Sequence, residues 1–130
     1  MDTINLDALE QSVAVLEEGL KEYAQYPILV ARDGVIQRFE VAMDTARQTL
    51  LRILKEVFFI EEAGARKDTV REAAKLGLIA DAEAWIGYVN ARNSTSHTYN
   101  STVAEQVFKQ VPAFILDAHD LIKRIKPHVA

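Results

Sequence analysis

A chain of 130 residues with a formal net charge of −4 and 49% hydrophobic residues has the size and composition of one soluble globular domain, and is too short for two substantial ones. Its five glycines and three prolines fall well below the usual combined share of roughly 12%, which argues against sandwiches and barrels, since these need a turn every ~8–12 residues. With no cysteine, disulfides, thiolate metal ligands and thiol nucleophiles are excluded.

Residues 4–24 carry Leu6, Leu9, Val13, Leu16, Leu20 and Tyr23 at alternating steps of three and four, one stripe of an α-helix. Pro27 closes that segment, because the residue before a proline is pushed out of the α region. Residues 28–39 admit two readings. Ile28-Leu29-Val30-Ala31, Asp33-Gly34 and Val35-Ile36 have the order of a β-hairpin around a type I′ turn. Against it, Ile36, Phe39, Met43, Ala46, Leu50, Ile53, Leu54 and Val57 keep helical spacing, and no period of two appears. The pattern therefore predicts a connecting segment over 28–33 and a second long helix over 34–60, with Asp33 as its N-cap.

The stretch from Glu61 to Lys67 is polar, contains a glycine and reads as a loop. Asp68 is placed to cap a short helix over 69–76, with Gly77 as its C′ residue. Asp81 opens the next helix, where Ala84, Trp85, Tyr88 and Val89 supply apolar contacts and Glu83 favours the positive end of the dipole. That helix is expected to fade near Asn93, since Ser94-Thr95-Ser96 prefers caps and turns to helix interiors. Asn100 or Ser101 starts the last helix, with Val103, Val107, Val111, Phe114, Ala118, Leu121, Ile122 and Ile125 on its buried side. Pro112 is expected to bend or split that helix, and Pro127 to end it. The sum is an all-α fold, an up-and-down bundle of four or five helices, as one domain over residues 1–130 without repeats or linkers.

The start, Met1-Asp2-Thr3-Ile4-Asn5, has no basic leader or apolar h-region, and the longest apolar runs, such as Val57-Phe58-Phe59-Ile60, are far shorter than the ~20 residues of a membrane span. A cytoplasmic protein with no membrane contact is expected. The acidic balance argues against a broad nucleic-acid-binding face, while leaving room for a small basic site. No glycine-rich phosphate loop exists, no cofactor is implied, and no His-x-x-His or Glu-x-x-His pair puts two metal ligands on one helical face. Of the three histidines, His119 and His128 read as surface residues, and the Glu17-Glu18 and Glu61-Glu62 pairs as solvated helix surface.

Polar chemistry concentrates in Ala91-Arg92-Asn93-Ser94-Thr95-Ser96-His97-Thr98-Tyr99-Asn100, which has a single aliphatic residue. Its plainest reading is a polar helix C-terminus followed by a capping turn. Yet Arg92 offers a fixed double donor suited to phosphate, and His97 a proton donor or acceptor near neutral pH.

Arg92-Asn93-x-x-x-His97-x-Tyr99 resembles the Arg-x4–6-His motif of the HEPN superfamily, small α-helical proteins found beside minimal nucleotidyltransferases in prokaryotes. Arg32-Asp33-Gly34-Val35-Ile36-Gln37-Arg38-Phe39-Glu40 is similar to the start of the second helix in the nucleotidyltransferase substrate-binding branch, as is Ala73-Ala74-Lys75-Leu76-Gly77-Leu78-Ile79 followed by Trp85. The likeness runs from about residue 5 to residue 125.

The resemblance implies a four- or five-helix bundle that forms a homodimer, with two motifs facing a shared cleft. In ribonuclease members the motif acts on RNA without metal. On that pattern His97 takes the proton from a ribose 2′-OH or gives one to the leaving oxygen. Arg92 stabilises charge developing on phosphorus, and Asn93 orients the phosphate or the imidazole. Arg92, Asn93, Ser96, His97 and Tyr99 are the implied substrate contacts. In toxin–antitoxin pairs of similar type, the nucleotidyltransferase silences the HEPN protein by transferring AMP to a tyrosine of the motif, and the matching position is Tyr99. Two features depart from the family pattern: Thr95-Ser96 replaces the aliphatic residues that toxin members carry before the motif histidine, which puts the chain nearer the substrate-binding branch, and Asn100 stands where relatives often have an acidic residue.

Three functions follow as expectations. The first is a subunit that pairs with a separate minimal nucleotidyltransferase, as a heterotetramer, holding nucleotide or substrate or accepting AMP. The second is a metal-independent endoribonuclease toxin using Arg92 and His97. The third is a bundle with a structural role only. Trp85, Tyr88 and Phe108, close to the motif in sequence, read first as core, with some apolar surface left for a partner as the alternative.

Overall fold

Five α-helices make up most of the backbone described by the computed structural model, which covers residues 4–60 and 66–129. Helix α1 spans Asp7–Gln25, α2 Leu29–Glu56, α3 Arg66–Lys75, α4 Ala82–Asn93 and α5 Ser101–Ile125. Single 3-10 turns occupy Ser94–His97 and Lys126–His128, and no strand occurs among the described residues. The all-α reading holds and the hairpin alternative falls. Met1–Thr3, read for a leader, and residues 61–65 of the expected loop, with the Glu61-Glu62 pair, lie outside the described residues.

The predicted stripes become the core. Leu9, Val13 and Leu16 of α1, Phe39, Ala46, Ile53 and Leu54 of α2, and Val111, Phe114, Ala118, Leu121 and Ile125 of α5 are fully buried. Cross-links between helices fix their directions. His119 bonds to Glu17, and Lys126 lies 3.5 Å from Glu10, so α1 and α5 run antiparallel. Glu17 is thus a bridge between helices rather than merely solvated surface. Arg32 reaches Glu105 at 2.9 Å, and Phe39 meets Phe114 edge-on with ring centroids 5.1 Å apart, so α2 runs parallel to α5. Trp85 and Tyr88 of α4 pack edge-on against Phe114 at 5.7 and 5.4 Å, an arrangement that aromatic quadrupoles favour. The Tyr88 hydroxyl donates to Asp117, and burial, reinforced by that bond, pushes its phenol pKa up.

The boundaries differ from the sequence reading in four places. Helix α2 begins at Leu29, with Ile28 as an N-cap that makes no side-chain bond, so 28–33 is not a connector. Asp33 is no cap; its carboxylate takes Nε and Nη2 of Arg32 at 3.3 Å. The buried Arg32 ties this first turn to α5 across 73 residues, which offsets the turn signal of Asp33-Gly34. At the other end α2 stops at Glu56, because the amides of Phe58 and Ile60 bond back to the carbonyls of Ile53 and Leu54. Asp68 lies inside the first turn of α3, where its charge favours the helix dipole instead of capping. Finally, α5 is one helix through Pro112, which is exposed, so its missing N–H falls on the solvent side.

Two expectations at helix ends hold closely. Gly77 has φ +74°, its amide bonds to the carbonyl of Ala74, and the Leu78 amide bonds to that of Ala73. Those are the two bonds of a Schellman motif, and its left-handed residue suits glycine. Asp81 caps α4 by accepting from the Ala84 amide at 3.2 Å.

Candidate functional site

The polar run after Trp85 folds as it does because its hydroxyls bond to its own backbone. Ser94 Oγ donates to the Asn90 carbonyl at 3.1 Å, Ser96 Oγ to that of Asn93 at 3.4 Å, and Thr98 Oγ1 to that of Thr95 at 3.1 Å. Such local bonds compete with helix continuation, and the chain tightens from α4 into the 3-10 turn Ser94–His97. Asn100 then restarts the helix: its Oδ1 accepts from the amides of Thr102 at 2.9 Å and Val103 at 3.3 Å. Asn100→Ala is expected to cost about 1 kcal/mol in urea or thermal unfolding. No measurable change would contradict that role.

Arg92 turns toward α2. Its Nε and Nη2 donate to the two oxygens of Asp44 at 2.8 and 2.9 Å, a bidentate pair. Its Nη1 donates to Thr95 Oγ1 at 3.0 Å and lies 3.6 Å from Glu40. The single Thr95 hydroxyl proton has two acceptors in reach, Glu40 at 2.6 Å and the Arg92 carbonyl at 2.7 Å, and the charged one is the stronger. The Asp44 bond, opposed by burial and helped by the charges of Asp44 and Glu40, raises the Arg92 pKa above its ordinary value. Within one chain the guanidinium is outnumbered by two carboxylates. The small basic site that the motif invited is, in this geometry, neutralised from inside.

The other motif residues face outward. Tyr99 is 87% exposed, and its ring meets that of His97 at a centroid distance of 6.1 Å and an angle of 78°. His97, Asn93 and Ser96 are exposed as well. The run thus has two neighbourhoods, Arg92 with Thr95 against α2 and His97 with Tyr99 toward solvent. A groove of about 360 Å3 runs beside the turn, between α4 and α5, lined by Gly87, Asn90, Ser94, Gln106 and Gln110 among others. That volume lies within the ~300–1,000 Å3 of small-molecule sites. Neither this groove nor a second one, between α1 and α2 beside Val15 and Val41, is lined by Arg92, Asn93, Ser96, His97 or Tyr99.

Trp85 and Tyr88 do not offer partner surface: both are buried in the core. Phe108 is half-buried, with its ring 4.7 Å from that of Tyr23. Sequence reasoning missed Glu40 and Asp44 as neighbours of Arg92. One signal was present, two carboxylates four apart flanked by the buried positions Phe39 and Met43, which sets them at the edge of a buried stripe. Among the described residues no group of three or more His, Asp or Glu is arranged to hold a metal ion, and no helix is long and apolar enough to cross a membrane.

Over residues 4–127 the chain matches the family described as nucleotidyltransferase substrate binding protein like, and it belongs to that family. It is 29% identical, over 96% of its own length and 94% of the relative's, to a Haemophilus influenzae protein named probable ribonuclease HepT. Two solved structures share the fold. One, from Thermus thermophilus, is 30% identical, covers 91% of this chain and 98% of its own, and superposes with a TM-score of 0.82. The other, HI0074 of Haemophilus influenzae, is 27% identical over 94% of this chain and 99% of its own, with a TM-score of 0.83, and is described as revealing the fold of a substrate binding domain of a nucleotidyltransferase.

Proposed function

We propose that residues 1–130 act as one domain, a cytoplasmic HEPN-type subunit that pairs with a separate minimal nucleotidyltransferase and is its AMP acceptor in a toxin–antitoxin-like module. Two copies of the chain and two of the nucleotidyltransferase form the assembly. Family membership and the description of HI0074 support the class of partner. One observation carries the acceptor role: Arg92 is held by Asp44, whereas Tyr99 stands 87% exposed on a turn whose backbone is closed by its own hydroxyls. An acceptor must reach into another protein's site, and an exposed phenol at a helix junction does so without unfolding anything.

In the reaction the Tyr99 phenolic oxygen bonds to the α-phosphorus of ATP, the bond to the β-phosphate oxygen breaks, pyrophosphate leaves, and the phenol proton passes to a base. The added phosphate places negative charge two residues from His97. Nucleotide held in the groove beside Ser94 is the related substrate-binding form of this reading; Asn93 and Ser96 are not among the residues that line that groove. Incubation with ATP and a minimal nucleotidyltransferase from the same genome is expected to raise the mass of the chain by whole AMP units. An unchanged mass with an active partner overturns the acceptor role.

A second reading is favoured by the name of the Haemophilus influenzae relative. In it the chain is a metal-independent endoribonuclease, with His97 as acid or base, Arg92 on the phosphate and Asn93 orienting it. It requires Arg92 to exchange Asp44 for a phosphate. RNA cleavage in EDTA by the wild type, lost in His97→Ala, would establish it, and equal cleavage by both, or none by either, would end it.

A further inference from the structure

We propose that Asp44 and Glu40 belong to the site as positioning residues: through Arg92 and Thr95 they clamp the 3-10 turn onto α2 and so set where His97 and Tyr99 stand. The proposal rests on the acceptor reading for its purpose but not for its geometry. Arg92 is the last residue but one of α4, and Thr95 is the second residue of the turn. Three contacts meet there: the bidentate bond from Arg92 to Asp44, the Nη1 bond to Thr95 Oγ1, and the bond from Thr95 Oγ1 to Glu40 at 2.6 Å. Thr95 is the one buried residue of the turn, so its hydroxyl is an internal fastening rather than a solvated group.

Glu40 and Asp44 stand one helical turn apart on α2, so they present two acceptors along one face. The clamp also gives a physical meaning to threonine at position 95. An aliphatic side chain there would fill the space but remove the hydroxyl that Arg92 Nη1 and Glu40 both bond, leaving only their mutual ion pair at 3.6 Å. Arg92 spends its Nε and one N–H of each terminal nitrogen inside the protein. Arg92 therefore acts on the turn, and His97 and Tyr99 act on whatever the turn is offered to.

Amide hydrogen exchange of residues 94–100 in the isolated protein tests this without any partner. In Asp44→Asn the exchange of these amides is expected to quicken about tenfold or more, with the core amides of α1 unchanged. Thr95→Val is expected to act in the same direction, and Thr95→Ser, which keeps the hydroxyl, to restore protection. In the double variant Asp44→Asn/Arg92→Lys the effect should not exceed the larger single effect, because Asp44 acts on the turn only through Arg92. With nucleotidyltransferase and ATP, Asp44→Asn should lower kcat for AMP transfer and leave KM for ATP unchanged. Unchanged exchange in both Asp44→Asn and Thr95→Val overturns the clamp. So does a loss of function in Arg92→Lys that Asp44→Asn does not share, since Arg92 would then be acting on ligand directly. Quickened exchange in a protein whose wild type accepts no AMP supports the clamp and overturns the acceptor function alone.

Discussion

Tyr99→Phe is expected to abolish AMP acceptance and leave the fold unchanged. The substitution removes one oxygen from a side chain that is 87% exposed and whose ring contact is with His97. No buried hydrogen bond is lost, and exposed substitutions of this kind stay within about 0.5 kcal/mol of neutral. On the proposed acceptor reading the loss is complete, because the phenolic oxygen is there the atom that forms the new bond to phosphorus. Intact-mass analysis with partner and ATP should show the adduct on the wild type alone, at equal thermal stability. An adduct of undiminished yield on Tyr99→Phe would move the acceptor to another residue.

Trp85→Ala is expected to be strongly destabilising, at about 3–5 kcal/mol. Trp85 is 2% exposed, and its indole meets Tyr88 at 5.5 Å and Phe114 at 5.7 Å, so its removal opens a cavity where α4 joins α5. Against a total stability of roughly 5–15 kcal/mol, that loss is a large share. The site falls with it, since Arg92 and the turn hang from the end of the helix that Trp85 anchors. Denaturant unfolding should show a lower midpoint, and a loss below about 1 kcal/mol would mean that the cavity collapses or that the indole is not a core anchor.

The helices were legible where an apolar stripe is buried by its own periodicity. Leu9, Val13 and Leu16, or Val111, Phe114 and Ala118, announce themselves because each buried position is apolar. The start of α2 was not legible, for the opposite reason. Leu29 and Val30 are apolar yet exposed, at 65% and 78%, while the buried position of that turn is Arg32, held by a carboxylate 73 residues away. No local pattern encodes such a pair. The end of α2 at Glu56 was hidden similarly, since Val57, Phe58 and Ile60 continue the apolar run while their backbone turns back.

At the site the same division applies. Arg92, Asn93, Ser96, His97 and Tyr99 could be named because they lie within eight residues and carry a family pattern. Asp44 and Glu40 could not be paired with Arg92, since they are 48 and 52 residues away in sequence. Nor could the outward or inward direction of each motif residue be read. The 3-10 turn decides that, and its tightness depends on where Ser94, Ser96 and Thr98 send their hydroxyls.

On the proposed function this chain works in a pair with a minimal nucleotidyltransferase. Size-exclusion chromatography with light scattering, on this protein mixed with a minimal nucleotidyltransferase from the same genome, tests that pairing most directly. One species whose mass matches two copies of each chain is the predicted result. Two peaks eluting at the positions and masses of the separate proteins would contradict it.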